Sequence, residues 1–540
     1  MIRALAIGGL VTGGVVSPPA HAGCSSTPIT GGLLVNCDAA TAPDPTVALV
    51  AIPSGNNVVQ VFSGTYNGGF SIAGGNNGIA VTGGQINAGF ITGAGIDQFV
   101  MSAGTITGDV DQGTGTDTFT MTGGQIGSLQ QGGGLDTFFM SGGTIVGAFS
   151  EGDFITIVGG SIGVVNMLNG NNIFDMSGGT IIGNVTATSD NDTFRLSGGQ
   201  IGGNVNLGNA TNTLTVSGGS IGAGITGGTG TDTLTWSGGV IAGAINLGDG
   251  NDVATLTNLT AANLTGTTLV SGGLGNDQLT LSNTTVSVAG LFQNWETIAL
   301  TNSTQLTLAG NLVLGDAGSG TGALSIDGSS ALLATGAVAI QAFTPGQLAA
   351  VTNAGAINLT GGGAADTLTI VGNYVGTGGT LKLDTVLGAD GSPSDKLVID
   401  AGTASGTTGL QVVNLGGAGA LTTGNGIPVI IAQNGGTTDA GAFSLAAPVA
   451  AGPFAYLLFR GPNGAGTADE ENSWYLRSQL VSPDGSIPLY RPEAAMYAAL
   501  PGMARALGLT TLGTFHERNG DQGRAQQRLR SRLGPHLRRV

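Results

Sequence analysis

A ten-residue phrase returns along the first half of this chain at steps of about twenty residues: Asp or Asn, two apolar residues spaced by one, Ser-Gly-Gly, then Ile. It reads Asp97-Gln-Phe-Val-Met-Ser-Ala-Gly-Thr-Ile106, then Asp117-Thr-Phe-Thr-Met-Thr-Gly-Gly-Gln-Ile126, then Asp136-Thr-Phe-Phe-Met-Ser-Gly-Gly-Thr-Ile145. Further copies begin at Asp153, Asn172, Asp192, Asn212 and Asp232. A period of this length means stacked rungs rather than a globule, because each rung alone is too small to bury its own inner face.

Three apolar columns run through the copies. The first holds Phe99, Phe119, Phe138, Ile155, Phe174, Phe194, Leu214 and Leu234. Two residues later come Met101, Met121, Met140, Ile157, Met176, Leu196, Val216 and Trp236, and five further on Ile106, Ile126, Ile145, Ile162, Ile181, Ile201, Ile221 and Ile241. A step of two is strand alternation, so the first two columns share one face. Thr or Val between them suits the outer face. Rungs about 4.8 Å apart pair backbone to backbone and lay like side chains over one another. The expected fold is all-β: a single-stranded parallel β-helix of about twenty residues per coil. The 102 glycines supply turns of positive φ, and without a Gly-X-Y period they do not indicate collagen.

Charge restricts the partners. Formal net charge is −17, and between Arg3 and Lys382 the only basic residue is Arg195. Such a rod offers phosphates almost nothing, so no nucleic-acid partner is expected. Seven of the 15 Lys and Arg lie from Arg518 onward. At the other end Arg3, an apolar stretch and Ala20-His21-Ala22 read as an export signal cleaved between Ala22 and Gly23; a buried N-terminal strand is the plainer alternative. Cys24 would follow the cut, which raises a lipid-anchored cysteine, although the Leu expected three residues earlier is missing. Cys24 and Cys37, the two cysteines of the chain, suggest a disulfide worth about 3 kcal/mol in an exported protein, with two free thiols as the alternative.

The chain divides by composition into a signal (1–22), an N-terminal cap (23–60), regular coils (61–256), looser coils (257–366), a denser C-terminal β-helix (367–478), a linker with a short helix (479–521) and an Arg-rich tail (522–540). Trp295 reads as a plug in the core where coil shape changes, or as a rim aromatic. Pro492 suits the first turn of a helix from Glu493 to Leu512, and Pro501 is expected to kink or divide it.

Ser394-Asp-Lys-Leu-Val-Ile-Asp400, Gly402-Thr-Ala-Ser-Gly-Thr-Thr-Gly409, Ser473-Trp-Tyr-Leu-Arg-Ser478, Tyr490-Arg-Pro-Glu-Ala-Ala-Met-Tyr497 and Leu512-Gly-Thr-Phe-His-Glu-Arg518 resemble the C-terminal passenger region of pertactin-like autotransporters. The resemblance covers roughly 367–521. It implies a right-handed β-helix exported by type V secretion, with an outer-membrane barrel as its partner in transit. It further implies an autochaperone role for 367–478 and a pore-type helix within 490–517. A membrane barrel takes at least eight strands of about ten residues, and nineteen residues follow Asp521. The tail therefore reads as a truncated or frameshifted end, with a polybasic membrane-contact tail or a separately encoded barrel as alternatives.

Catalytic chemistry finds little purchase. The three histidines are His21, His516 and His536, so neither a Ser-His-Asp triad nor a His-based zinc site can form within 23–515. A pair of carboxylates in a cleft remains open to a sugar-cleaving enzyme. Calcium is the stronger rival. Gly227-Gly-Thr-Gly-Thr-Asp-Thr-Leu-Thr and Gly272-Gly-Leu-Gly-Asn-Asp-Gln-Leu-Thr fit the GGxGxDxUx nonapeptide of calcium-binding β-rolls, with Asp232, Asp252 and Asp277 as first candidates. The nonapeptide occurs once per coil rather than in tandem, so the alternative is a set of solvated Asp residues capping each strand. The expected function is a non-enzymatic surface adhesin or stalk without a cofactor, meeting a host-cell surface, matrix or neighbouring bacteria. A calcium-binding β-roll is the alternative and a polysaccharide-degrading enzyme the third reading.

Overall fold

The computed structural model describes residues 23–38, 49–482 and 485–532. The signal reading over 1–22, including Ala22 of the Ala22/Gly23 cleavage pair, lies outside the described residues, as does 533–540 of the Arg-rich tail.

Each regular coil contributes strands that pair in parallel with the coils before and after. Phe119 sits in register with Phe99 and Phe138, Phe138 with Ile155, Ile155 with Phe174, and Phe174 with Phe194. The rings stack: centroids are 5.0 Å apart for Phe99 and Phe119, 6.0 Å for Phe119 and Phe138, and 4.9 Å for Phe174 and Phe194. These side chains are fully buried, as are the Met and Ile columns beside them. Burying each such side chain contributes about 1.5–3 kcal/mol, repeated at every rung. The parallel β-helix is therefore the fold.

A fourth buried column completes the wall opposite the Phe and Met strand. Phe90, Val110, Leu129, Phe149, Val165, Val185, Val205, Ile225 and Ile245 stack one over the next. Phe149 reaches across the coil to Phe138, with centroids 4.2 Å apart. The sequence marks this column weakly because Val110 and Leu129 stand alone among glycines and polar residues, although Val165, Val205 and Ile245 have a buried apolar partner two places on, at Met167, Leu207 and Leu247.

The Ser-Gly-Gly corner needs both glycines for different reasons. In the copy from Asp117 to Ile126 a Cβ on Gly123 would overlap the Ser102 carbonyl oxygen of the preceding coil. Gly124 has φ +85°, and a Cβ there would lie 2.6 Å from the Met101 Cε. The corner thus lets the Met column of one coil fill the space beneath the next.

The start of the rod is covered by an antiparallel hairpin, Cys24–Ile29 with Gly32–Cys37, whose second strand then pairs in parallel with Val58–Val61. Cys24 and Cys37 face each other across this hairpin, S–S 2.05 Å. Covering the first rung removes an open sheet edge. Stacked coils begin within the segment read as a cap, since Val58–Val61 also pairs in register with Gly78–Ile86. Through the looser stretch stacking persists: Gln278–Ser282, Thr297–Thr301, Ala323–Ile326 and Ala349–Asn353 succeed one another in parallel. Trp295 is fully buried there and donates its indole N–H to the Val270 carbonyl at 3.0 Å, which makes it a core plug.

Parallel stacking ends near the C-terminus. Trp474–Arg477 pairs antiparallel with both Ile427–Gln433 and Phe454–Arg460. Tyr374 stacks on Phe443 at 6.0 Å, and Phe443 meets Trp474 edge-on at 5.6 Å. Beyond lie a small hairpin, Gln479–Ser482 with Gly485–Pro488, and the helix Pro492–Arg532. The helix is continuous through Pro501 and runs on to Arg532 instead of ending near Leu512. A single proline forfeits one backbone bond and leaves the remainder of a long helix in place. Among the described residues no helix is long and apolar enough to cross a membrane.

Candidate functional site

The Asp and Asn that open each copy form one column inside the rod. The expectation of solvated strand caps is overturned: Asp117, Asp136, Asn212, Asp232, Asp252 and Asp277 are fully buried, and Asp97, Asn172 and Asp192 nearly so. The reason lies in the backbone. Apart from Asn172, these column side chains accept the backbone N–H of the column residue one coil earlier, so the side chain is needed where a ladder bond would otherwise be missing. Asp97 N–H donates to Asp117 Oδ1, Asp117 N–H to Asp136 Oδ1, Asp232 N–H to Asp252 Oδ1 and Asp252 N–H to Asp277 Oδ1, each at 2.7 Å. Asn212 N–H donates to Asp232 Oδ1 at 2.8 Å, and Asp277 N–H to Glu296 Oε2 at 2.6 Å.

Burial costs a carboxylate more than it costs the neutral acid. Desolvation pushes Asp117 and Asp252 up to about 7 against the pull of the N–H each accepts, and neighbouring column carboxylates add to the rise. Asp136, Asp192, Asp232 and Asp277 are pushed up to about 6 by the same burial. Asp97 rises as well.

The three calcium candidates, Asp232, Asp252 and Asp277, come together as successive rungs of this column, each with one oxygen committed to backbone. Among the described residues no group of three or more Asp, Glu, His or Cys side chains converges as a metal site would. The glycines of the nonapeptide have a steric reason of their own. A Cβ on Gly227 would overlap Asp232 Oδ2, and one on Gly272 would lie 2.6 Å from Asp277 Oδ2. Gly228, at φ +110°, presses directly on the Gly208 carbonyl of the coil below. The packing of a buried Asp under a tight coil therefore gives the glycines of the GGxGxD pattern a steric role.

The outer face is chemically plain. Thr215, Thr235, Thr255 and Thr280 stand in register on successive coils, half exposed. Arg195, beside them, pairs with Asp175 at 3.3 Å across an exposed surface. An opening of about 420 Å³ lies where the coil from Asp136 to Asp153 is shortened, lined by Gly132 to Leu135, Glu151, Asp153 and Asn169 to Asn171. Asp153 within it already accepts the Asp136 N–H at 2.7 Å.

Residues 347–458 match the family model described as Autochaperone Domain Type 1. Taken with the relatives below, this match supports an autotransporter passenger domain, a class exported to the outer-membrane surface or the extracellular space. The chain is similar to the adhesin BmaC autotransporter of Brucella suis biovar 1 (strain 1330), 37% identical over 262 residues, or 44% of this chain and 7% of that protein. It is 40% identical over 150 residues to the autotransporter adhesin AIDA-I of Escherichia coli, covering 28% of this chain and 11% of the relative. It is 41% identical over 133 residues to the probable autotransporter YfaL of Escherichia coli (strain K12), covering 24% and 10%. The chain thus spans about a tenth or less of the length of these relatives.

Proposed function

We propose that this chain acts as a non-enzymatic adhesin or structural stalk: a rod that presents a contact surface to host cells, matrix or neighbouring bacteria after passing an outer-membrane barrel. The observation that carries this reading is the buried spine of the described residues, in which apolar side chains and the Asp/Asn column fill the interior of successive coils. Chemistry for contact then resides on the outer face, where the threonine rows and the near absence of basic side chains favour hydrogen bonding to neutral polar surfaces over binding to anions. Two relatives are named adhesins, which supports the same reading. Cells displaying the rod on a membrane barrel are expected to adhere or aggregate more than cells displaying the barrel alone. Equal adhesion on host cells, matrix and self would remove the adhesin reading.

The β-roll alternative rests on the nonapeptides around Asp232 and Asp277. A ligand that binds only the folded state raises its melting temperature by mass action. We expect the thermal midpoint to be the same in excess calcium and in chelator, because each of these carboxyls already serves the backbone. A large calcium-dependent gain, abolished by Asp252→Asn, would instead favour the β-roll.

A further inference from the structure

Four column positions are asparagine, and they show what the column requires of the second side-chain atom. Asn57, Asn77, Asn172 and Asn212 each donate their Nδ2–H to the carbonyl two residues earlier, at 3.0 Å to Gly55, 2.7 Å to Gly75, 3.0 Å to Gly170 and 3.3 Å to Ala210. The Oδ1 of Asn77 and of Asn212 accepts the N–H of the preceding rung. At Asn77 and Asn212 the first atom therefore meets a donor and the second at least one acceptor.

Aspartates in the same column place Oδ1 in the same way, and their Oδ2 is buried with no hydrogen-bond partner at Asp97, Asp117, Asp136, Asp192, Asp232, Asp252 and Asp277. An ionised carboxylate has only acceptors to offer, whereas the protonated acid supplies a donor and keeps an acceptor, as an amide does. We propose that these seven aspartates are held in the folded rod as neutral carboxylic acids, each donating its Oδ2 proton to the carbonyl two residues earlier, so that the column is a proton-holding device that loosens as the medium becomes alkaline.

The surroundings agree. The charged groups facing the column are acidic: its own neighbouring aspartates, Glu151 and Asp153 beside Asp136, Asp190 beside Asp192, Asp249 beside Asp252, and Glu296 and Asp316 beside Asp277. Arg195, the one basic residue of the regular coils, is engaged with Asp175 on the outer face. Folded values raised to about 6 or 7 fit acids kept neutral by burial.

The sign follows from linkage. A group whose folded value is raised gives its full stabilisation below its unfolded value and loses it as pH climbs through the folded one. Carboxylates held low act oppositely. Against a desolvation push upward, hydrogen bonds from Ser330, Asn302 and Ser329 hold Asp327 down at about 2, so its contribution is lost only in strong acid. Stability should therefore peak near pH 4, decline as pH climbs from the unfolded value through about 6 and 7, and level off by about pH 8.

The test pairs guanidinium unfolding midpoints between pH 4.5 and 8 with infrared detection of the protonated-carboxyl stretch in the native protein at pH 5.5. Expected are a midpoint that falls toward pH 8 and a native carboxylic-acid band at pH 5.5 that disappears on unfolding. Asp117→Asn and Asp252→Asn should each diminish the band, raise the midpoint at pH 8 and leave it nearly unchanged at pH 5. A native protein without the band at pH 5.5, or a midpoint that rises toward pH 8, overturns the proposal. Variants that fold poorly leave the wild-type band and midpoint to decide it.

Discussion

Replacing Phe119 by alanine is expected to cost about 3–5 kcal/mol, the range for deleting a buried aromatic side chain from a core that cannot close around the gap. Phe119 is fully buried between Phe99 and Phe138, at centroid distances of 5.0 and 6.0 Å. The rungs above and below are held at a spacing set by their backbone pairing, so neither can settle into the cavity. Thr120→Ala, one residue along and half exposed, should change stability by no more than about 0.5 kcal/mol. Because coils touch chiefly their neighbours, hydrogen exchange should quicken first between about residues 97 and 140 in the Phe119 variant. Equal guanidinium midpoints for the two variants would mean that the aromatic stack does not hold the coils together.

Gly228→Ala should be comparably severe, at about 3 kcal/mol or more, although it adds a single methyl group. The backbone at Gly228 has φ +110°, and the added Cβ would fall within the Gly208 carbonyl oxygen of the coil below. That neighbour is backbone, so no rotamer change relieves the overlap; the two coils must part and strain the ladder on either side, including the Asn212 N–H to Asp232 bond. The loss should be the same with and without calcium. An alanine variant as stable as the wild type would show that the coil opens easily here and would revive a ligand-based reason for the nonapeptide.

Much of the rod was legible in the residues. Phe, Met and Ile return at fixed offsets, and a step of two between Phe119 and Met121 admits only a strand, so the stacked register followed directly. The C-terminal strings around Asp400, Trp474 and Tyr490 pointed to the autotransporter class that the family match over 347–458 and the similar proteins bear out. The column aspartates were visible as a periodic feature, but their environment was misjudged. Asp beside Gly and Thr is ordinarily a solvated turn, and nothing local to Asp232 announces that the N–H of Asn212, one coil away, needs its oxygen. The wall of Phe90, Val110 and Phe149 escaped notice for a related reason: residues such as Val110 and Leu129 stand alone among polar residues and glycines, and the wall becomes a column only when coils are superposed.

Periodicity in the sequence by itself determined that the chain stacks, which residues face inward along the main strand, and that the body carries almost no positive charge, because these depend on spacing and composition within a single coil. Tertiary structure alone decided which turn residues are buried, where the rod is closed by antiparallel strands at Cys24–Ile29 and Trp474–Arg477, and that the GGxGxD glycines make room for a neighbouring coil. Each of those depends on atoms about twenty residues or more apart meeting across a rung spacing of about 4.8 Å, a relation that exists only once the coils are wound.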